Sequence, residues 1–283
     1  MLKPAVSPIR LLRYLNNTKT YTEDLLAVEE PLEIRVGYGA QHKREQRRIS
    51  VTMRTPGNDF ELAIGFLFTE GIITSVEEIH SIKYCTELNT KENNSNIVRV
   101  ELREDIELNI DSLQRNFYTT SSCGVCGKAS IDAVFQQCDK SEKPHFIVSS
   151  KLLTALPQKL NQYQQIFTYT GGLHGCALFT PEGDYIISRE DVGRHNALDK
   201  LIGALIGSDR EKMKRSILLL SGRASFELIQ KAAMAQIPLV ASVGAPSSLA
   251  VDIAKEANIT LIGFLKENRF NIYTHESRIG NDE

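Results

Sequence analysis

The sequence predicts an α/β protein, α+β overall, with a smaller N-terminal α+β domain followed by a C-terminal domain built on a mixed sheet with parallel strands. Three observations carry this. Towards the C-terminus, short wholly apolar runs alternate with helical segments, a pattern that calls for right-handed crossovers and parallel pairing. In the first third, segments alternate apolar and polar residues as half-buried strands do. The chain has 283 residues, 42% hydrophobic and 24% charged, an ordinary globular composition with length for two domains. The expected boundaries are 1–117 for the N-terminal domain, 118–130 for a loop carrying a Cys-x-x-Cys pair, and 131–283 for the C-terminal domain.

Taken in order, Pro31 to Gly37 and Arg48 to Arg54 read as strands, separated by a basic stretch from His42 too charged for a core. After Thr55-Pro56-Gly57, Asn58 with Glu61 reads as a capping box opening a helix with Leu62, Phe66 and Leu67 on its buried side and Gly71 at its end. Ser75 with Glu78 repeats the capping pattern, and Ile97 to Leu102 is another strand. Asp105 to Phe117 reads as the link to the rest. The cysteine pair then runs into a helix marked by Ile131, Val134 and Phe135.

Phe167 to Thr170 and Cys176 to Thr180 read as strands, and Pro181-Glu182-Gly183-Asp184 as a hairpin turn into Tyr185 to Ser188. A helix follows from about Val192 to Ile206, with Asp191 at its N-cap. Ile217 to Leu220, Pro238 to Val243 and Thr260 to Leu265 are strands, with helices through Ala235 and over Leu249 to Ala257 between them.

Charge and composition exclude several classes. The formal net charge of −2 provides no global field towards nucleic acid or an anionic membrane. No run of about 18 apolar residues suggests a membrane span, and Met1 to Tyr14 lacks the apolar core of a secretory signal. Five cysteines, an odd number, point to a reducing compartment, with the cytoplasm as the default.

The chemistry centres on Cys123-Gly124-Val125-Cys126-Gly127-Lys128. Flanking glycines open the approach to sulfur, and a following helix N-terminus with Lys128 favours the reactive thiolate. Three uses compete. A structural zinc site would need ligands such as His174, Cys138 or Cys176, at spacings that fit no standard pattern. A thioredoxin-like pair would stand early, after a strand. The third use is sulfur carriage on one thiol with the other resolving it.

A second constellation is a set of loops. In an open α/β sheet, the loops beyond the carboxyl ends of parallel strands gather along one edge and form the ligand site. Here they are Ser221-Gly222-Arg223-Ala224-Ser225, Gly244-Ala245-Pro246-Ser247-Ser248 and Lys266-Glu267-Asn268-Arg269. Small residues allow close backbone approach, and Arg223, Lys266 and Arg269 are donors for phosphate. Singly, each is as readily a turn or a cap; together they suggest a phosphorylated, nucleotide-like ligand. Asp191-Val192-Gly193-Arg194-His195-Asn196 reads equally well as a capped helix or as site, and His174 and Cys176 share one face of a strand.

Six segments, in order, resemble the formate dehydrogenase accessory sulfurtransferases, the FdhD family. They run from Thr55-Pro56-Gly57-Asn58-Asp59 to Glu70-Gly71-Ile72, then Ser121-Ser122-Cys123-Gly124-Val125-Cys126-Gly127, Thr170-Gly171-Gly172-Leu173-His174, Asp191 to Ala197, Ser221-Gly222-Arg223, and Gly263-Phe264 through Arg269 to Tyr273-Thr274. The resemblance implies a cytidine-deaminase-like C-terminal domain without deamination, since the zinc-deaminase signatures are missing from that half. It also implies a persulfide carrier, with Cys123 accepting sulfur from a cysteine desulfurase of the IscS type. The sulfur goes to a molybdenum-bound bis(molybdopterin guanine dinucleotide) before that cofactor enters formate dehydrogenase. Its cofactor segment falls on Phe264, Leu265, Lys266, Glu267, Asn268 and Arg269, joined here by Ser221, Gly222 and Arg223 for the GDP-like moiety; Cys126 is the second catalytic thiol. A homodimer is expected, and no nucleic acid, membrane or resident metal. The competing class is a zinc-binding maturation or regulatory module that carries no sulfur.

Overall fold

The computed structural model describes residues 3–85, 94–106 and 146–280. Cys123, Cys126 and Cys138, the expected loop 118–130 and the helix near Ile131 lie outside the described residues. The chain folds as a mixed α/β protein with several sheets.

Strands β1 (Val6–Leu15) and β2 (Thr18–Ala27) pair as an antiparallel hairpin. Then β3 (Glu30–Tyr38), β4 (Glu45–Arg54), β5 (Ile79–Tyr84) and β6 (Ile97–Leu102) form a four-stranded sheet in the order β4-β3-β6-β5. Its inner face is the alternation legible in the sequence: Leu32, Ile34 and Val36 with Val98, Val100 and Leu102 are fully buried. The basic stretch before Arg48 belongs partly to β4, and Arg44 uses its charge on Glu101 at 2.7 Å.

Helix α1 (Asp59–Thr69) follows, but without the expected capping box. Asn58 adopts a left-handed conformation (φ 57°) and its side chain caps nothing. The start of the helix is held instead by Asp59, which takes a two-pronged bond from buried Arg54 at 3.0 and 2.8 Å. Glu61 reaches across to Arg189, at 2.6 and 2.8 Å. The second capping pattern gives only a 3-10 turn, Val76–Glu78, with Ser75 Oγ accepting from Glu77 N and the Glu78 carboxylate turned back to Thr74 N.

The larger sheet has the order β9-β8-β10-β11-β12-β13, formed by β8 (His174–Phe179), β9 (Tyr185–Asp191), β10 (Ile217–Leu220), β11 (Leu239–Ser242), β12 (Thr260–Lys266) and β13 (Arg269–Thr274). β10, β11 and β12 are parallel, and β8, β9 and β13 complete the sheet in antiparallel pairings. Two short strands, β7 (Val148–Ser149) and β14 (Ile279–Gly280), pair beside it.

Both faces of this sheet are covered, which is why β10 is apolar at all four positions. Ile217 and Leu219 face Leu153, Leu156 and Leu160 of helix α2 (Ser150–Tyr163). Leu218 and Leu220 face α4 (Arg194–Ile206), α6 (Phe226–Met234) and α7 (Ser248–Glu256). Each such leucine or isoleucine stabilises the fold by roughly 1.5–3 kcal/mol. The same core continues without a break into the four-stranded sheet, because α1 packs directly on α4. Between α4 and α6 lies the short helix α5 (Arg210–Lys214).

One expected strand is a helix. Phe167 to Thr170 belongs to α3 (Gln165–Thr170), whose first free amides, Ile166 N and Phe167 N, donate to the Glu190 carboxylate at 3.0 and 2.8 Å. Gly171, at φ 64°, ends it.

Candidate functional site

The loops of the larger sheet converge on one edge. The antiparallel register of β8 with β9 places His174 beside Asp191, and that of β8 with β10 pairs Cys176 with Leu220. The start of β8, the end of β9 and the ends of β10, β11 and β12 therefore lie together. Ser221–Ser225 and Val243–Ser247 are stitched by backbone bonds: Val243 N to Leu220 O, Gly244 N to Gly222 O, Ala224 N to Ala245 O and Ser247 N to Ala224 O, all 3.0–3.2 Å. A Cβ on Gly244 would lie 2.9 Å from the Arg223 backbone, so only glycine allows this approach.

Phe264 joins the same group, with its N–H donating to Gly244 O at 3.0 Å. It adopts a left-handed conformation (φ 52°) at a bulge in β12, which turns its ring out of the ladder to 41% exposure. Lys266, Glu267, Asn268 and Arg269 form the exposed β12–β13 turn, whereas the Leu265 side chain is fully buried in the core. From the 264–269 segment, then, every side chain but that of Leu265 is open to a ligand.

Arg223 is exposed, but the neighbouring Ser221 hydroxyl is occupied by Gly175 N at 2.9 Å. Ser225 and Ser247 are the N-cap residues of α6 and α7; Ser247 Oγ accepts from Ala250 N, while Ser225 caps nothing with its side chain and faces His195 instead.

Three basic groups beyond those expected to bind the cofactor, His174, Arg194 and His195, gather here. His195 Nε2 lies 2.6 Å from Glu227 Oε2 and 3.3 Å from Ser225 Oγ. The hydrogen bond from His195 holds the Glu227 carboxyl below its usual range, against its partial burial. His174 stands over Gly222, whose added Cβ would be 3.5 Å from Nδ1. Desolvation pushes the His174 pKa down, and the charges of Arg194, His195 and Arg223 push it further, opposed by Asp191. Burial and the neighbouring cations thus both disfavour the protonated form of this imidazole.

His174 and Cys176 part company despite their strand spacing. Cys176 is buried, its thiol contacting Arg189 O at 3.8 Å, and burial pushes its pKa far up. It is a core residue, and its inert thiol does not line the edge. Asp191 is not the N-cap of α4, which is Gly193; its carboxylate is fully buried and accepts from Gly193 N at 2.8 Å.

A model of the FdhD/NarQ family matches residues 27–280. The chain belongs to this family. Among curated relatives, a protein named sulfur carrier protein FdhD from Mycolicibacterium paratuberculosis is 50% identical over 260 residues, covering 91% of this chain and 92% of that one. One of the same name from Streptomyces avermitilis is 46% identical over 273 residues, with 95% and 94% covered. A crystal structure from Desulfotalea psychrophila, described as a formate dehydrogenase accessory protein, superposes with a TM-score of 0.74 at 22% identity, covering 98% of this chain and all of that one. That likeness is one of fold. The match across the FdhD/NarQ model takes in both sheets and the edge where Arg223, His174 and Phe264 meet. Arg194 and His195 escape a reading of loops after parallel strands, because they follow an antiparallel strand that reaches the same edge only through its pairing with β8.

Proposed function

We propose that this chain is a cytoplasmic sulfur carrier, a sulfurtransferase that accepts sulfane sulfur from a cysteine desulfurase as a persulfide on Cys123. It hands that sulfur to its substrate, the molybdenum-bound bis(molybdopterin guanine dinucleotide), before the cofactor enters formate dehydrogenase. The observation that carries the reading is near full-length similarity, up to 50% identity among the relatives named above, to proteins named sulfur carrier protein FdhD.

The edge supports a nucleotide-bearing substrate. Its backbone is locked by inter-loop hydrogen bonds, so donors are held before binding and little ordering entropy is lost. Arg223 supplies a guanidinium for phosphate, Phe264 an exposed ring for stacking on a base, and Lys266 and Arg269 further positive charge. The order β9-β8-β10-β11-β12, with β8 antiparallel to β10 and three parallel strands beyond it, agrees with the cytidine-deaminase-like arrangement. In loading, the Cys123 thiolate attacks the outer sulfur of the desulfurase persulfide. The donor's S–S bond breaks, its cysteine leaves as thiolate, and the new persulfide stands on Cys123.

Two measurements test this. After incubation with a cysteine desulfurase and cysteine, mass spectrometry should find the added sulfur on Cys123. Persulfide confined to Cys85, Cys138 or Cys176 would overturn the assignment. Calorimetry with GDP, the nucleotide fragment of the substrate, should show binding that Arg223→Ala or Arg269→Ala weakens about tenfold or more, the loss of one charge-assisted bond of roughly 1.5–3 kcal/mol. Unchanged affinity in both variants would place the ligand elsewhere.

A further inference from the structure

Two turns remote in sequence are locked together beside the edge. Thr55, between β4 and α1, donates its N–H to Asp191 Oδ2 at 3.1 Å, and its Oγ1 accepts from Val192 N at 3.2 Å. Lys200, on α4, places Nζ 2.6 Å from Asp191 Oδ2 and 2.8 Å from Thr55 O. Asn196 donates to Met53 O at 2.7 Å and to Asp191 Oδ1 at 3.2 Å, and its Oδ1 accepts from Thr52 Oγ1 at 3.0 Å. Asp191 and Lys200 are only 0% and 2% exposed, so neither charge has water to turn to. A Cβ on Gly193 would lie 2.9 Å from Asn196 Nδ2, so the turn follows a path that a larger residue there would disturb.

That path delivers Arg194 and His195 to the edge. His195 is fastened by Glu227 and Ser225. Arg194 is not fastened in this way: its Nε, like those of Arg99, Arg210 and Arg278, is buried and has no hydrogen-bond partner among the described residues. Its charge acts on His174 together with that of Arg223, and on Glu227. A desolvated guanidinium nitrogen without an acceptor is costly unless a ligand supplies one.

We propose that Arg194 is a second cationic donor for the nucleotide phosphates, beside Arg223, and that Asp191, Asn196 and Lys200, together with Thr55 at the end of the N-terminal sheet, are positioning residues that hold it there. The inference rests on the GDP-binding reading above and adds residues to that site. Stability of the clasp and presentation of Arg194 are thereby coupled: a change at the end of β4 is felt at the adjoining edge of the other sheet.

A double-mutant cycle read by calorimetry with GDP tests it. Arg194→Gln should weaken binding about tenfold. Thr55→Val keeps the side-chain shape and removes the acceptor for Val192 N, and should weaken binding several-fold, whereas Thr55→Ser should restore it. In the Thr55→Val background, Arg194→Gln should add less than about threefold, because the guanidinium is already misplaced. A full tenfold effect in both backgrounds would show the clasp to be merely structural. If Thr55→Val does not fold, Thr52→Val, which loses only the bond to Asn196, enters the same cycle. Arg223→Ala separates the two readings: if it weakens GDP and Arg194→Gln does not, this inference alone falls. If neither changes affinity, the site itself is wrong.

Discussion

Replacing Cys126 with serine is expected to leave sulfur loading on Cys123 intact and to abolish formate dehydrogenase maturation. In the proposed transfer, the persulfide on Cys123 releases its outer sulfur. Attack of the Cys126 thiolate on the inner sulfur would form the Cys123–Cys126 disulfide and expel the outer sulfur as hydrosulfide, with the S–S bond of the persulfide broken and a new one made. A cellular dithiol then reduces the bridge. The spacing of the pair permits closure, and Gly124 and Gly127 ease its geometry. Two readouts distinguish the steps: mass of the persulfide after desulfurase treatment, and activity of formate dehydrogenase produced in cells carrying the variant. Cys123→Ser should fail in both, Cys126→Ser in the second alone. Normal maturation with Cys126→Ser would exclude release through an internal disulfide and leave the second thiol another role, such as receiving sulfur first.

Gly203→Ala is expected to destabilise the fold by about 3 kcal/mol or more, at the upper end of the cost of overpacking. Gly203 on α4 meets α1 so closely that an added Cβ would sit 1.9 Å from Glu61 O, and one on Gly65 would sit 1.8 Å from Asp199 O. The atoms in the way are backbone, which cannot rotate aside. Exposed alanine would gain roughly 1 kcal/mol in helix propensity over glycine, too little to offset a forced separation of the helices. The contact is also where charges are buried: Lys231 Nζ on α6 lies 2.9–3.0 Å from Thr69 Oγ1, Glu70 Oε1 and Asp199 Oδ1. Parting the helices would strand these groups and add to the cost. Denaturant unfolding followed by circular dichroism reads the effect. A midpoint equal to that of the unaltered protein would mean that α1 and α4 do not meet at these glycines.

Much of the fold was written in local pattern. β3 and β6 alternate because one face of each is buried, β10 is apolar throughout because both are, and Gly183 (φ 86°) makes the turn between β8 and β9. These features depend only on the period of a strand and on which residues tolerate a left-handed turn. Phe167 to Thr170 reads as a strand yet folds as part of a helix for an equally definite reason. Its β-branched and aromatic residues favour a strand, but Glu190, 24 and 23 positions beyond Ile166 and Phe167, accepts their two amides in the first turn and holds it as a helix. Likewise Asn58, a good cap by type, is denied that role by its left-handed backbone, and Arg54 takes over through Asp59.

The sequence by itself determined the α/β class, the parallel strands, the cysteine pair and the loops bearing Arg223 and Phe264, because each is a short-range pattern. Only the tertiary structure decided that Leu265 turns inward, that Cys176 is core and His174 edge, and that Thr55 holds Asp191 across 136 positions of sequence. Those outcomes turn on a bulge in β12, on how far along β8 a side chain stands, with His174 at its open end and Cys176 inside, and on two glycine helices meeting backbone to backbone. Burial and long-range hydrogen bonding set each of them, and neither has a local signature.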